Sequence, residues 1–472
     1  MVVSFWKEGK NVSEVSQNKM GVKPMLPLLL GMSLPAMLSM MIQALYNVVD
    51  SIFVARYSPD ALQAVSLAYP LQMILISFGV GTAVGVNSLI ARRLGAKNYE
   101  EANNAATTGL VLAVINWLVF LVIGLTASRP FISLFTTNAD VIKDGASYLT
   151  VVLCVSFGMM ISCMGEKILQ STGNMIIPMI TQMLGAIVNI IFDPLLIFGI
   201  GFFPRLGVLG AAIATVFGQI CSMTFILIIL FVRKHEVKIR FKGFRMQKIT
   251  LKNIYAVSFP AIIMQSIGSV MVSGINAIIS IANLTAEYAA AYINAFGIYF
   301  KLQSFVFMPV FGLSQGVSPI IGYNFGARNK KRMFQAFRLG VIIAGAIMAA
   351  GTLLFHLAPE WLLSLFESKD NVAANALLAE VGVPMLRIIS ISFIMAAVGI
   401  MFSTLFQAVG KGFYSMTMSV LRQLVVLLPA AYFLSKINMT VMWFSFPIAE
   451  FVCLIIGIIF FTLLRKKEFS KL

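Results

Sequence analysis

SLPAMLSMMIQALYNVVDSIFVARY, from Ser33 to Tyr57, is apolar enough to cross a membrane as a helix, yet it carries an acid, Asp50. A charged carboxylate is costly near a bilayer centre, so Asp50 is expected to face a protein interior or a watery cavity. Gln43 and Asn47 share its helix face by their i, i+4, i+7 spacing. Pro35 should loosen the backbone before this polar stripe, giving a hinge. Such a helix is typical of a moving part of a transporter. The alternative is a buried acid that only hydrogen-bonds neighbouring helices.

The composition points to a membrane protein. The chain has 472 residues, of which 59% are hydrophobic and 11% charged, whereas soluble domains contain about 25% charged residues. The net charge of +17 does not indicate nucleic-acid binding, because the basic residues lie in loops and tails, as the positive-inside rule expects. The four cysteines fall in apolar runs and are interpreted as small buried side chains.

Apolar segments of about 20 residues can each span a bilayer, and the sequence contains twelve. We therefore predict an all-α polytopic membrane protein with twelve transmembrane helices in two six-helix bundles. The first six predicted spans are roughly 26–54, 61–90, 104–127, 145–170, 175–200 and 207–232. The second six are roughly 254–282, 288–320, 333–358, 380–408, 412–435 and 438–464.

Lysine and arginine predict the orientation in the membrane. Most of the 35 basic residues lie at the two ends of the chain and in loops after even-numbered spans, which should therefore be cytoplasmic. The expected organisation is a cytoplasmic tail at 1–24, an N-lobe at 25–232, a basic cytoplasmic linker at 233–252, a C-lobe at 253–464 and a cytoplasmic tail at 465–472. The predicted location is the inner cell membrane, with the protein acting as a monomer in the lipid bilayer.

The two lobes repeat one another. GAKN, starting at Gly95, recurs as GARN, starting at Gly326, at an offset of 231. The same offset relates Gly85 to Gly316. Six spans per lobe is an even number, so both lobes enter the membrane in the same sense. Their pseudo-twofold axis should then run along the membrane normal, with the functional cavity between or within the lobes.

Two acids break this repeat. Asp50 and Asp193 have no acidic counterparts in the C-lobe. Asn189 lies one turn before Asp193, Pro194 should disturb the backbone there, and Thr215 could add a hydroxyl. Two carboxylates, an amide oxygen and a hydroxyl suit a hard monovalent cation such as Na⁺, or a proton shared between the acids. The alternative is that Asn189 and Asp193 only cap irregular backbone.

Other polar residues within the spans suggest substrate contacts. Gln43, Asn47 and Glu166 are the candidate substrate-binding side chains, with Glu166 attracting cationic compounds. Lys167 is expected to pair with an acid or to extend its amine towards the membrane surface. The charges expected to form neutralising pairs in the C-lobe are Lys301, Arg387, Arg422 and Glu450.

Motifs for enzymatic chemistry do not appear in the sequence. There is no Walker A loop, kinase signature, nucleophile elbow or HExxH, and the two histidines lack companions. We expect no enzymatic activity, no cofactor and no nucleic-acid partner. Energy must therefore come from an ion gradient or from a partner.

These residues resemble the multidrug and toxic compound extrusion (MATE) family, its DinF-like branch in particular. The resemblance rests on SLP in the first span, the spacing of Gln43 and Asp50, VGTAVGVNSLIARRLGAKN, STGN after the fourth span, and the Asn189/Asp193 pair. The glycine-rich second span is the more general of these features. The similar region extends from Pro27 to about Leu464.

The resemblance implies two V-arranged bundles that export amphipathic, often cationic compounds in exchange for H⁺ or Na⁺. It also implies that Asp50, Asn189, Asp193 and Thr215 match the family's ion-coupling residues, while Glu166 stands where the family often has Asn. Two alternatives stay open. One is a flippase of lipid-linked precursors, although its cavity should be basic. The other is an intramembrane acid-pair enzyme, although such a pair would more naturally take one acid from each lobe. A channel is disfavoured because no filter sequence is visible.

Overall fold

The chain folds into long helices. The computed structural model describes residues 18–366 and 372–472. The helices of the first half are α1 (Lys19–Val22), α2 (Met25–Tyr57), α3 (Pro59–Gly95), α4 (Tyr99–Ser133), α5 (Ala139–Cys154), α6 (Phe157–Ser171), α7 (Ile176–Phe198) and α8 (Val208–Val232). Those of the second half are α9 (Lys248–Ser280), α10 (Ala286–Gly326), α11 (Lys330–Leu357), α12 (Pro359–Ser364), α13 (Val372–Ser390), α14 (Phe393–Ala408), α15 (Gly412–Val420), α16 (Leu428–Ser435), α17 (Met439–Met442) and α18 (Ser445–Lys467).

The predicted fold class is confirmed. Within the described residues, eleven helices or helix pairs are long and apolar enough to cross a membrane, and the bent pair α5–α6 brings the number to twelve. The observed helices extend several residues beyond many of the predicted spans because their polar ends continue outside the apolar segments. The division into lobes, linker and tails at the stated residue boundaries stays a prediction.

Three spans are less regular than the sequence indicated. The fourth bends by 44° between α5 and α6, where the indole N–H of Trp117 donates to the backbone carbonyl of Cys154 at 2.8 Å. The tenth is broken between α13 and α14. The eleventh contains a π-helical segment, Leu421–Leu427, just before Pro429, whose ring conflicts with the carbonyl four residues earlier in a regular helix.

The GAKN and GARN repeat is a turn followed by a helix start. Lys97 and Arg328 adopt left-handed backbone angles, with φ of 57° and 54°, which let the chain reverse between two helices. The Asn98 side chain then caps α4 by accepting from the Glu101 N–H at 3.1 Å. Asn329 caps α11 in the same way. The repeated motif therefore corresponds to a turn followed by an Asn N-cap, present once in each half.

The two halves pack together through paired glycines. A Cβ on Gly85 of α3 would lie 2.6 Å from the Ile254 carbonyl oxygen of α9. A Cβ on Gly316 of α10 would lie 2.8 Å from the Ser33 Cα of α2. Gly85 and Gly316, which are 231 residues apart, therefore occupy equivalent positions in two helix crossings, that of α3 with α9 and that of α10 with α2.

Serine hydroxyls follow the same symmetry. Ser258 of α9 donates to the Thr82 carbonyl at 3.1 Å, and Ser33 of α2 donates to the Leu313 carbonyl at 3.5 Å. Thr82 and Leu313 are again 231 residues apart. Such equivalent contacts are expected when two similar halves are related by a pseudo-twofold axis.

The halves are closed against one another on the face that carries Asn18 and Leu472, here called the termini face. There, a Cβ on Gly95 would collide with the Tyr323 carbonyl, and a Cβ on Gly326 would collide with the Arg92 carbonyl. Arg92 and Tyr323 are related by the same offset of 231. The ends of α3 and α10 therefore cross in close backbone contact.

Candidate ion and substrate sites

Four polar side chains from α2, α7 and α8 meet inside the first half. Asp193 is fully buried, and Asn189 and Thr215 are 2% and 5% exposed. In the amide orientation that satisfies both of its groups, Asn189 donates to Asp193 Oδ2 at 2.8 Å and accepts from the Thr215 hydroxyl at 3.2 Å. The Asp50 carboxyl completes the group from α2, close enough to Asp193 for the two charges to interact.

The closeness of Asp50 and Asp193 has a chemical consequence. Two carboxylate anions side by side repel one another, so a proton or a small cation between them would relieve the repulsion. One buried oxygen of Asp50, Oδ1, has no hydrogen-bond partner among the described residues. The Tyr46 side chain, one helical turn before Asp50, lies close to Thr215. The cluster is thus an oxygen-rich site with one unsatisfied oxygen, suited to a proton or a small hard cation.

Asp50 also faces open space. It lines a cavity of about 220 Å³ with Val54, Leu62, Val65, Ser66 and Tyr69. These residues belong to the ends of α2 and α3 that lie away from the termini face. The acid is therefore next to a cavity at the ends of α2 and α3 that are remote from the termini face.

The expectation of irregular backbone at Asp193 is wrong. Helix α7 continues through Pro194 to Phe198 and ends at Gly199, a left-handed cap with φ of 73°. Pro194 lacks the N–H that would donate to the Ile190 carbonyl in a regular helix, yet helical geometry continues past it. Asp193 thus owes its position to regular helix geometry. Helix α2 likewise runs unbroken through Pro35, and its role as a hinge stays a prediction.

The predicted substrate-binding side chains do not form one cluster with the acids. Gln43 is exposed, and the side chain of Asn47 lies outside the described part of the structure. Glu166 is buried, at 7% exposure, and its Oε2 accepts from Gln182 Nε2 at 2.7 Å. Gln182 belongs to α7, the helix that also carries Asp193. Glu166 is therefore hydrogen-bonded to α7, the helix that carries Asp193.

Lys167 connects the two halves. It is 8% exposed, and its amine donates to Gln170 Oε1 at 2.8 Å and to Gln315 Oε1 of α10 at 2.7 Å. The prediction of an acid partner or an outward-reaching amine is wrong, since among the described ion pairs none includes Lys167. Two amide oxygens, one from each half, satisfy this buried cation instead.

The charges of the second half form pairs for the most part. Arg422 Nη1 and Glu450 Oε1 are 2.7 Å apart, in the π-helical segment and α18. Arg387 and Glu360 are 3.2 Å apart and exposed. Lys301 lies over the ring of Phe366, with its amine 5.9 Å from the ring centroid. The two ion pairs neutralise charge away from the acid pair, whereas the prediction of a pair for Lys301 is wrong, since its amine contacts an aromatic ring and none of the described ion pairs includes it.

Sequence reasoning missed three residues that contact the site. Tyr46 lies at i−4 from Asp50 and so shares its helix face, a spacing that could have identified it. Gln182 and Gln315 are glutamines within apolar spans, and such amides usually have a partner. Their partners could not be identified without the fold, because Gln315 is 148 residues from Lys167.

Twelve spans, two halves related by a repeat and a buried carboxyl pair in one half define a helical membrane transporter. The chain belongs to the MatE family, whose model matches residues 35–195 and 260–433. The two matched segments fall one in each half.

Named relatives agree with this assignment. The chain is 27% identical over 439 residues to the multidrug export protein MepA of Staphylococcus haemolyticus, covering 92% of this chain and 93% of that protein. Its fold is similar to an outward-facing multidrug resistance MATE transporter of the MOP superfamily, with a TM-score of 0.88, 26% identity and coverage of 97% and 99%. It is also similar to a MOP-superfamily transporter of Pyrococcus furiosus with a binding pocket of reversed polarity, with a TM-score of 0.87, 26% identity and coverage of 95% and 97%. The chain is a multi-pass transporter and not an enzyme.

Proposed function

We propose that this chain is a secondary antiporter that exports amphipathic, often cationic compounds in exchange for H⁺ or Na⁺. The observation that carries the proposal is the close pair of acids Asp50 and Asp193 beside Asn189 and Thr215. A pair of acids beside a cavity can hold an ion in one conformation and release it in another. The multidrug export activity named for its relatives supports the choice of substrate class.

The coupling follows from differential affinity. An ion can drive a conformational change only by binding one state more tightly than the other. A proton or Na⁺ entering through the cavity at Asp50 lowers the negative charge of the pair by one, and the weaker charge favours release of the cationic compound. The helix beyond Pro35 then rearranges. Loss of the ion on the other side restores the negative charge that attracts the next compound.

The donor set fits either ion. Na⁺ would take its oxygens from Asp50, Asn189, Asp193 and Thr215, which offer two carboxyls, one amide carbonyl and one hydroxyl. A proton would instead be shared between the carboxyl groups of Asp50 and Asp193. In both cases the ion is cargo, and no other cofactor takes part.

We further propose that the termini face is cytoplasmic, in the inner cell membrane, and that the monomer is the functional unit. The basic linker between α8 and α9 supports this orientation. Closure of the halves on the termini face, with the Asp50 cavity on the opposite side, then corresponds to an outward-facing state.

Inverted membrane vesicles test the function. A fluorescent cationic dye such as ethidium is supplied outside, and a pH gradient and a Na⁺ gradient are imposed separately. We expect dye uptake with at least one gradient and none when the gradient is collapsed by an ionophore. Uptake that needs neither gradient would contradict antiport, and a lack of uptake with both would contradict drug export.

A further inference from the structure

The short helix α1 lies between the two halves on the termini face. On the side of the first half, Asn18 caps α1 by accepting from the Met20 N–H at 2.9 Å. The Asn18 amide donates to the Thr172 carbonyl at 3.3 Å and to Glu236 Oε2 at 2.7 Å. One side chain therefore starts the helix and attaches it to the first half and the linker.

The same segment is bound by the second half. The Met20 carbonyl accepts from Asn324 Nδ2 at 3.1 Å and from Arg332 Nη2 at 3.2 Å. Arg332 also donates to the Lys23 carbonyl at 2.7 Å. Met20 itself is fully buried in the apolar core of the second half. A Cβ on Gly21 would lie 3.1 Å from the Tyr323 ring, so the backbone fits closely there.

The linker residue that contacts Asn18 belongs structurally to the first half. Next to Glu236, Val237 is 5% exposed and packs in the core of that half. The backbone N–H of Lys238 donates to Asn103 Oδ1 of α4 at 2.6 Å. Glu236 must therefore move with the first half when the halves separate.

We propose that the segment Asn18–Lys23 is a strap that holds the two halves together on the termini face, and that it must leave one half before this face opens. The inference rests on the proposed alternating transport. A four-residue helix is about 6 Å long, so it cannot stay bound to both halves once they separate. The strap stabilises the closed state of this face and so sets how readily the transporter accepts a compound there.

Two reversible crosslinks test the strap. In a chain whose four cysteines are replaced by serine, Asn18→Cys with Glu236→Cys ties the strap to the first half, and Gly21→Cys with Tyr323→Cys ties it to the second. A short bis-thiosulfonate reagent closes each link, and a reductant opens it. We expect either link alone to leave dye export largely intact, both links together to abolish it, and reduction to restore it. Full export by the doubly linked protein would overturn the proposal.

A second measurement does not depend on export. Spin labels on the exposed positions Glu100 and Gln335 report the separation of the halves on the termini face by pulsed electron resonance. Arg332→Ala removes two strap hydrogen bonds, and we expect the ratio of open to closed populations to rise about tenfold. Lys331→Ala, an exposed neighbour, is the matched control and should change nothing. Equal distance distributions in both variants would contradict the strap, even if the dye assay shows no transport at all.

Discussion

Glu166 and Lys167 are neighbours in sequence, yet each is held by a different partner. Glu166 accepts from Gln182 of the first half, and Lys167 donates to Gln315 of the second. Successive residues on a helix point about 100° apart, which is why one can contact α7 while the other crosses to α10. The acid is thus not neutralised by a direct bond to the adjacent lysine, and it can still attract a cation.

Replacing Glu166 by Gln should change which compounds are exported. Gln keeps the size of the side chain but removes a negative charge from a low-dielectric interior, where charge attraction is strong. We expect export of monocationic and dicationic dyes to fall several-fold, and that of neutral compounds to change less, in a resistance panel. Glu100→Gln, at an exposed acid, is the control. An equal loss for all compounds would indicate a structural role.

The sequence was sufficient to choose the members of the acid cluster but not to describe their contacts. Asp50, Asn189, Asp193 and Thr215 were predicted from residue type, spacing and the failure of the repeat, and the fold brings them together. Their role in coupling stays a prediction. The close approach of the two acids and the contact of Tyr46 with Thr215 depend on how α2 packs against α7 and α8. That packing arises from many apolar contacts and cannot be read from any one segment.

The helix crossings that contain glycine should be destabilised even by an added methyl group. Gly316→Ala places a methyl group against Ser33 of α2, where the nearest backbone is rigid. We expect destabilisation of about 1–3 kcal/mol, measured as a lower thermal unfolding midpoint in detergent. Gly345→Ala on α11 has no neighbour within 4 Å and should be neutral or slightly stabilising. An unchanged midpoint for Gly316→Ala would contradict the close crossing of α2 and α10.

The membrane-spanning helices were predictable wherever a segment is long and apolar enough to cross the bilayer. The repeat GAKN and GARN also located two turns and their caps correctly, because Asn has a specific role at a helix start. The bend between α5 and α6 and the π-helical segment of the eleventh span were not predictable. They depend on tertiary contacts such as Trp117 with Cys154, which give the backbone a partner outside its own helix.

At the scale of the whole molecule, the orientation is open to a direct test. Lys242 in the linker and Lys143 at the start of α5 are both exposed, and they lie on opposite faces of the protein. In a cysteine-free chain, Lys143→Cys should react with a membrane-impermeant thiol reagent in intact cells, whereas Lys242→Cys should react only after the cells are opened. Labelling of Lys242→Cys in intact cells would reverse the orientation.

The pseudo-twofold arrangement was predictable from an even number of spans per half and a constant offset, since both follow from a duplicated segment. The strap was not, because residues 18–23 look like an ordinary polar tail. Their contacts with Glu236 and Arg332 link parts of the chain hundreds of residues apart. Only the closed state of the termini face brings these parts together.

If Asp50 and Asp193 form the ion-coupling site, the Asp50→Asn variant should not export dye against a gradient. Inverted vesicles are given both a pH gradient and a Na⁺ gradient, and the initial rate of dye uptake is measured at matched protein levels. Asp193→Asn serves as the second site variant, and Asp60→Asn, at an exposed acid, as the control. We expect both site variants to lose gradient-driven uptake while remaining folded, and Asp60→Asn to keep the wild-type rate. Uptake by Asp50→Asn at the wild-type rate would contradict this assignment of the site.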